Sequence, residues 1–158
     1  MESEPDRSTD FHIYLPCTQD IEGHAVSEKK APKVAGEKTI LIVDDEPEIL
    51  SLLGEMLTIQ GHETLQAQSG REALEIFRRE RDRIDLAILD IQMPEMDGKR
   101  LFRELKSLDP GLKVLISSGY DETTAMTEMG SDNPDGFLQK PYLSGKLRKM
   151  LQKIFSQA

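Results

Sequence analysis

The stretch Thr39-Ile40-Leu41-Ile42-Val43-Asp44-Asp45-Glu46-Pro47 decides the fold. An unbroken aliphatic run stops at two adjacent carboxylates, and a proline follows three residues after the first of them. Short continuous apolar runs of this kind are the mark of strands buried on both faces of a parallel sheet. Working outward, the same pattern recurs. Leu86-Ala87-Ile88-Leu89 ends at Asp90, Val114-Leu115-Ile116 leads to Ser118, and Phe137-Leu138 leads to Lys140. In parallel α/β sheets, ligands bind at the carboxyl ends of the strands. If these runs are neighbours, three carboxylates, a hydroxyl and an ammonium converge at one edge, which is a site for a divalent cation and a phosphoryl group.

Helical patterns separate the runs. After Pro47, residues Ile49, Leu50, Leu53, Met56 and Leu57 share one face, and Gly61 closes that helix. A strand over roughly Glu63 to Gln68 precedes Ser69-Gly70-Arg71-Glu72, which has capping-box form and opens a helix with Ala73, Leu74, Ile76 and Phe77. Beyond Asp90, a loop through Met93-Pro94 leads to Asp97-Gly98. A helix then buries Leu101, Phe102, Leu105 and Leu108 and stops at Asp109-Pro110-Gly111. A strand from Lys113 to Ser117 or Ser118, a helix over about Glu122 to Met129, a strand over Gly136 to Gln139 and a helix from Ser144 to about Phe155 complete the series. Strict alternation of strands and helices predicts an α/β fold with a parallel sheet.

Composition narrows the function classes. A chain of 158 residues with 37% hydrophobic residues holds one domain of ordinary core size plus a tail. Its net charge of -9, with no basic stripe, speaks against nucleic-acid or membrane-surface binding. A single cysteine, Cys17, cannot form an internal disulfide and fits a reducing compartment. No apolar run approaches a membrane span, and Met1-Glu2-Ser3-Glu4 is no signal peptide, so a cytoplasmic location is expected. His12, His24 and His62 carry no metal spacing.

Each polar landmark has an ordinary reading beside the chemical one. Asp44 and Asp45 suit the N-cap of the first helix, yet the same pair supplies the oxygen ligands that Mg²⁺ prefers; the two roles are compatible. Asp90 alone is a loop acid, whereas beside the pair it is a candidate nucleophile forming an aspartyl phosphate. Three carboxylates repel one another unless a cation is bound. Ser118 either satisfies backbone or bonds a phosphoryl oxygen. Lys140, held extended by Pro141, either faces solvent or reaches inward to an anion. Phe137 is either core or an aromatic that changes rotamer beside the site.

The ordered set Asp44-Asp45, Asp90 with Met93-Pro94 and Asp97-Gly98, Ser118-Gly119 and Lys140-Pro141 resembles the receiver domain of two-component response regulators over about residues 38 to 158. The resemblance implies a flavodoxin-like (βα)5 three-layer sandwich with strand order 2-1-3-4-5. It also implies phosphoryl transfer to Asp90 from a histidine kinase or histidine phosphotransfer domain. Mg²⁺ (or Mn²⁺) would be held by Asp44, Asp45, Asp90 and the backbone carbonyl of Gln92. Ser118 and Phe137 would be the switch pair, Lys140 the phosphate contact, and Gln92 and Tyr120 the positions tuning phosphoryl lifetime. Ser131-Asp132-Asn133-Pro134-Asp135 departs from that pattern, which has a Gly-Ala turn there.

Residues 1 to 16 resemble the end of a histidine-kinase ATP-binding domain, with Asp6 and Ser8 where that pattern has glycines. Residues 17 to 37, with Lys29-Lys30, Pro32 and Gly36, read as a linker. The layout is that of a hybrid histidine kinase, and a disordered acidic leader is the plainer reading of the first residues. This chain itself is expected not to be an autokinase. The other readings are an Asp-nucleophile phosphatase, against which Gln92 stands where such enzymes carry a general acid, and a receiver used only for docking.

Overall fold

The computed structural model describes residues 36 to 156 and, at the start of the chain, a short antiparallel ladder of Glu2–Glu4 with Ser8–Asp10. The stretch from Phe11 through Pro16, where the kinase-like segment ends, and most of the expected linker lie outside the described residues.

Five strands, β1 (Thr39–Val43), β2 (Glu63–Ala67), β3 (Ile84–Asp90), β4 (Lys113–Ser118) and β5 (Gly136–Gln139), form a parallel sheet in the order β2-β1-β3-β4-β5. Five helices alternate with them: α1 (Pro47–Ile59), α2 (Gly70–Glu80), α3 (Gly98–Leu108), α4 (Glu122–Met129) and α5 (Ser144–Ser156). This is the flavodoxin-like arrangement expected from the sequence. A short 3-10 turn over Arg81–Arg83, three charged residues without periodicity, was not foreseen.

The aliphatic runs are buried because each face of the sheet is covered by helices. Ile40, Ile42, Leu86, Ile88, Leu115 and Leu138 pack against Leu50, Leu53 and Leu57 of α1 and Leu147, Leu151 and Ile154 of α5. The alternate residues Leu41, Val43, Ala87, Leu89, Val114 and Ile116 pack against α2, α3 and α4. Burying each such side chain contributes about 1.5–3 kcal/mol. Leu108, expected in the core of α3, is only half-buried at the helix end.

Register aligns the polar landmarks. Val43 pairs with Leu89, Asp90 with Ser117, and Ser118 with Gln139, so the residues at the carboxyl ends of β1, β3, β4 and β5 share one edge. The departing segment before β5 is tied down from α3. Arg103 pairs with Asp132 at 2.8 Å and Lys106 lies 3.4 Å from Asp135, while Lys99 donates to the Glu128 carbonyl near the end of α4 at 2.7 Å. Asp135 also accepts from the Val114 N–H at 2.9 Å, and α4 ends cleanly at Gly130 with φ of 66°.

At the opposite edge, His62 is 4% exposed, neither of its ring nitrogens has a hydrogen-bond partner among the described residues, and its ring lies 6.0 Å from that of Phe155. Burial holds its pKa below the usual histidine value, with Asp85 opposing and Lys38 reinforcing the shift. The folded state therefore binds fewer protons at this site than the unfolded chain. The stability it costs grows as pH falls through about 6.5. We expect His62→Leu to gain stability relative to wild type between pH 7.5 and 5.5, read from urea midpoints; an unchanged difference across that range would contradict the assignment.

Candidate functional site: an acidic pocket at the carboxyl edge of the sheet

One carboxylate oxygen from each of Asp44, Asp45 and Asp90 lies within 4.8 Å of the others. Asp44 and Asp90 are buried, at 2% and 5% exposure, and Asp45 is the more open. Lys140 reaches inward from the end of β5, its Nζ 2.7 Å from Asp44 Oδ2 and 3.4 Å from Asp90 Oδ1, with Glu46 Oε1 at 3.7 Å. The lysine resolves inward, as the chemical reading required. The sequence placed these four residues together, and the structure brings them together.

The capping reading of the Asp pair does not hold. The N-cap of α1 is Glu46, which makes no side-chain cap bond, and Pro47 occupies the first turn. Asp44 instead turns its Oδ1 to the Glu46 N–H at 3.1 Å, leaving Oδ2 for Lys140. One oxygen of each of Asp44 and Asp45 thus joins Asp90 in the pocket.

Burial raises the pKa of Asp90 to about 6, with Lys140 pulling it down and the charges of Asp44 and Asp45 pushing it up. Burial alone would lower Lys140, but its hydrogen bond to Asp44 and the charges of Asp90 and Asp44 hold it above the usual lysine value. The ammonium is fully charged, and it offsets only part of three clustered carboxylates. An all-oxygen set with surplus negative charge suits a small hard cation, so the residues present fit a divalent metal.

The loop after Asp90 is shaped by close backbone approach. Gly98 donates to the Ile91 carbonyl at 3.0 Å, and Asp97 caps α3 by accepting from the Arg100 N–H at 2.7 Å. Gln92 is exposed on that loop and lines a cavity of about 460 Å³ with Ile91, Met93, Asp97, Lys99 and Glu128. Glu95 sits there at φ of 65°, a left-handed conformation that costs an L-residue roughly 1–2 kcal/mol. Glu95→Gly is expected to raise stability by about 1 kcal/mol, read from urea midpoints, and Glu95→Val to lower it; a neutral glycine variant would argue against strain at this position.

Ser118 is fully buried at the end of β4; its Oγ accepts from the Tyr120 N–H at 3.1 Å and its carbonyl from the Lys140 N–H at 2.8 Å. Tyr120 is 45% exposed beside it. Phe137 is buried on β5, paired with Ile116 rather than Ser118, in the cluster that includes Ala125 and Met129 of α4. Sequence reasoning missed one residue pair at this edge. The Tyr142 hydroxyl lies 2.7 Å from Ser117 Oγ, both buried; its only sequence signal is a tyrosine two residues after Lys140.

A doubly wound parallel sheet whose strand ends gather three carboxylates, two of them paired with a lysine, defines an α/β module with an acidic pocket whose residues fit a divalent cation. Residues 40–152 match the response regulator receiver domain, and the chain belongs to that family. It is 35% identical to the sensor kinase CckA of Brucella abortus over 96% of this chain and 17% of that protein. It is 34% identical to the sporulation initiation phosphotransferase F of Bacillus subtilis over 72% of this chain and 90% of that one. A response regulator receiver domain from Clostridium thermocellum superposes with a TM-score of 0.70 at 30% identity, covering 76% of this chain and 95% of that one. The chain thus spans about a sixth of CckA and nine-tenths of the Bacillus subtilis protein.

Proposed function

We propose that the chain is the phosphoacceptor module of a two-component phosphorelay, taking a phosphoryl group on Asp90. The observation that carries this is the meeting of Asp44, Asp45 and Asp90 around the Lys140 ammonium at the carboxyl edge of the sheet. An Asp90 oxygen attacks phosphorus as the phosphorus–nitrogen bond of a phosphohistidine breaks and the imidazole leaves. Asp44, Asp45, Asp90 and the Gln92 carbonyl would hold Mg²⁺ or Mn²⁺, which neutralises charge on the transferring group when bound. Lys140 releases Asp90 to attack and contacts the incoming phosphoryl oxygens as a point charge.

Ser118 is the hydroxyl that turns to the phosphorylated Asp90 side chain, breaking its bond to the Tyr120 N–H, and Phe137 follows it. The outcome is a population shift of the surface formed by α4, β5 and α5. Gln92 and Tyr120, exposed on either side of the pocket, are the positions that tune how long the phosphoryl group survives. The donor is a histidine kinase or a histidine phosphotransfer domain, and the module works in the cytoplasm. Similarity to CckA over 96% of the chain supports residues 1–16 as a kinase tail, 17–37 as linker and 38–158 as receiver of a hybrid histidine kinase. This part of the protein catalyses only its own phosphorylation.

The test is donor dependence. With Mg²⁺ and labelled ATP alone the chain should take no label, and adding a phosphorylated histidine phosphotransfer domain should transfer one phosphoryl group per chain. Labelling by ATP alone, or none from the donor, would contradict the proposal.

A further inference from the structure

Between Lys140 and Leu147, one side chain points into the protein: Tyr142 is 8% exposed, while Pro141, Leu143, Ser144, Gly145 and Lys146 are all exposed. Its ring joins the cluster formed with α1 and α5, and its hydroxyl lies 2.7 Å from Ser117 Oγ. Ser117 is 1% exposed. Two hydroxyls this deep need each other, because neither has water to turn to.

Ser117 stands at the junction of the site. It pairs in register with Asp90, its carbonyl accepts from the Ile91 N–H at 3.1 Å, and Ser118 follows it directly. The Tyr142–Ser117 bond therefore ties the segment that carries Lys140 to the strand ends that carry Asp90 and Ser118. We infer that Tyr142 is a positioning residue for phosphoryl transfer: bound to Ser117, it pins the segment after β5 so that the Lys140 ammonium stays between Asp44 and Asp90. This inference rests on the phosphoacceptor reading of Asp90.

The need for such a pin follows from lysine itself. Its charge sits on a flexible four-carbon stem and is strongly hydrated, and the exposed Glu46 carboxylate 3.7 Å away offers it an outward alternative. The backbone of Lys140 is fixed on one side by its N–H to the Ser118 carbonyl at 2.8 Å. On the other side Tyr142 is the inward anchor. Phenylalanine at 142 would fill the same apolar space, yet leave the Ser117 hydroxyl buried without a partner and the segment free to drift. Small displacements of a charge at a reacting centre are costly to rate.

The experiment measures phosphoryl uptake from acetyl phosphate with Mg²⁺ by intact mass, with urea midpoints taken for every variant. Tyr142→Phe is expected to slow uptake by roughly five- to tenfold, the size of one lost hydrogen bond expressed in the rate. Ser117→Ala should do the same, and the double variant should be no slower than either. That double variant removes both hydroxyls, so its stability should recover while its rate does not, which separates positioning from folding. In a Lys140→Met background, Tyr142→Phe should change nothing further. If Lys140→Met takes up no label, the same comparison is read from Mg²⁺-dependent binding of beryllium fluoride by calorimetry.

Wild-type uptake in Tyr142→Phe, or an equal slowing with and without Lys140, would overturn the inference while leaving Asp90 as the acceptor. No uptake by the wild type, or uptake that persists in Asp90→Ala, would overturn both.

Discussion

Asp90→Asn should make the metal-free protein markedly more stable at neutral pH while removing its phosphoacceptor. Burial holds the Asp90 carboxyl at about 6, against an ordinary value of 3.8. The folded state therefore carries an ionised group that would rather be protonated. A shift of this size corresponds to about 3 kcal/mol at pH 7, an upper figure because an asparagine must also find partners for its amide. In a domain of this length we expect a rise of roughly 8 °C in Tm.

The sign is the reverse of the usual carboxylate. Because the folded pKa is raised, the wild type gains stability as pH falls from above 6 towards 4, and Asp90→Asn loses that dependence. Excess Mg²⁺ should close the gap, since a cation that binds only the folded wild type stabilises it by mass action. Thermal unfolding in EDTA and in Mg²⁺, on both proteins, reads all of this. Equal stability of the two proteins in EDTA would mean that the pocket stores no repulsion.

The second large effect comes from one missing methyl group. A Cβ on Gly98 would collide with the Asp90 carbonyl oxygen and sit 2.9 Å from both the Asp90 carbonyl carbon and Ile91 Cα. All three are backbone atoms, so no rotamer change gives relief. The first turn of α3 must move away from the strand end that carries Asp90, and the Gly98 N–H to Ile91 carbonyl bond at 3.0 Å goes with it. We expect Gly98→Ala to cost about 3 kcal/mol or more and to weaken Mg²⁺ binding at least tenfold. A Cβ on Gly119, on the neighbouring loop, would meet nothing within 4 Å, so this glycine serves as the control. Gly119→Ala should unfold within about 0.5 kcal/mol of wild type. A tolerated Gly98→Ala would show that the loop after β3 is not fixed by this contact.

The fold was legible because its determinants are local and repetitive. Ile40 to Val43, Leu86 to Leu89 and Val114 to Ile116 are aliphatic without alternation, as strands of a sheet covered on both faces are, and the breaks at Gly61 and Pro110 mark where helices stop. The acidic pocket was legible for the same reason, since Asp44 and Asp90 each close such a run and Lys140 stands just past the short run Phe137-Leu138. Other features depend on register or on distant contacts. Glu46 rather than Asp44 stands at the N-cap of α1, and Asp44 divides its oxygens between the Glu46 N–H and Lys140, almost a hundred residues away. Ser117 and Ser118 look alike in sequence, but the pleat sends one to Tyr142 and the other to the Tyr120 N–H. The capping box at Ser69 forms by half: Ser69 accepts from the Glu72 N–H, while Glu72 reaches one residue further back, to the Gln68 N–H. The ties from Lys99 to the end of α4, and from Arg103 and Lys106 to the segment before β5, each span 29 residues, beyond any local pattern.

The central claim is that Asp90 takes a phosphoryl group with the help of a cation held by its neighbours. The direct measurement is intact mass after acetyl phosphate, with and without Mg²⁺, on the wild type and on Asp90→Ala. One phosphoryl group that requires Mg²⁺ and is absent from Asp90→Ala is the predicted result. A wild type that stays unlabelled although folded, or an Asp90→Ala chain that still gains the group, would contradict the account.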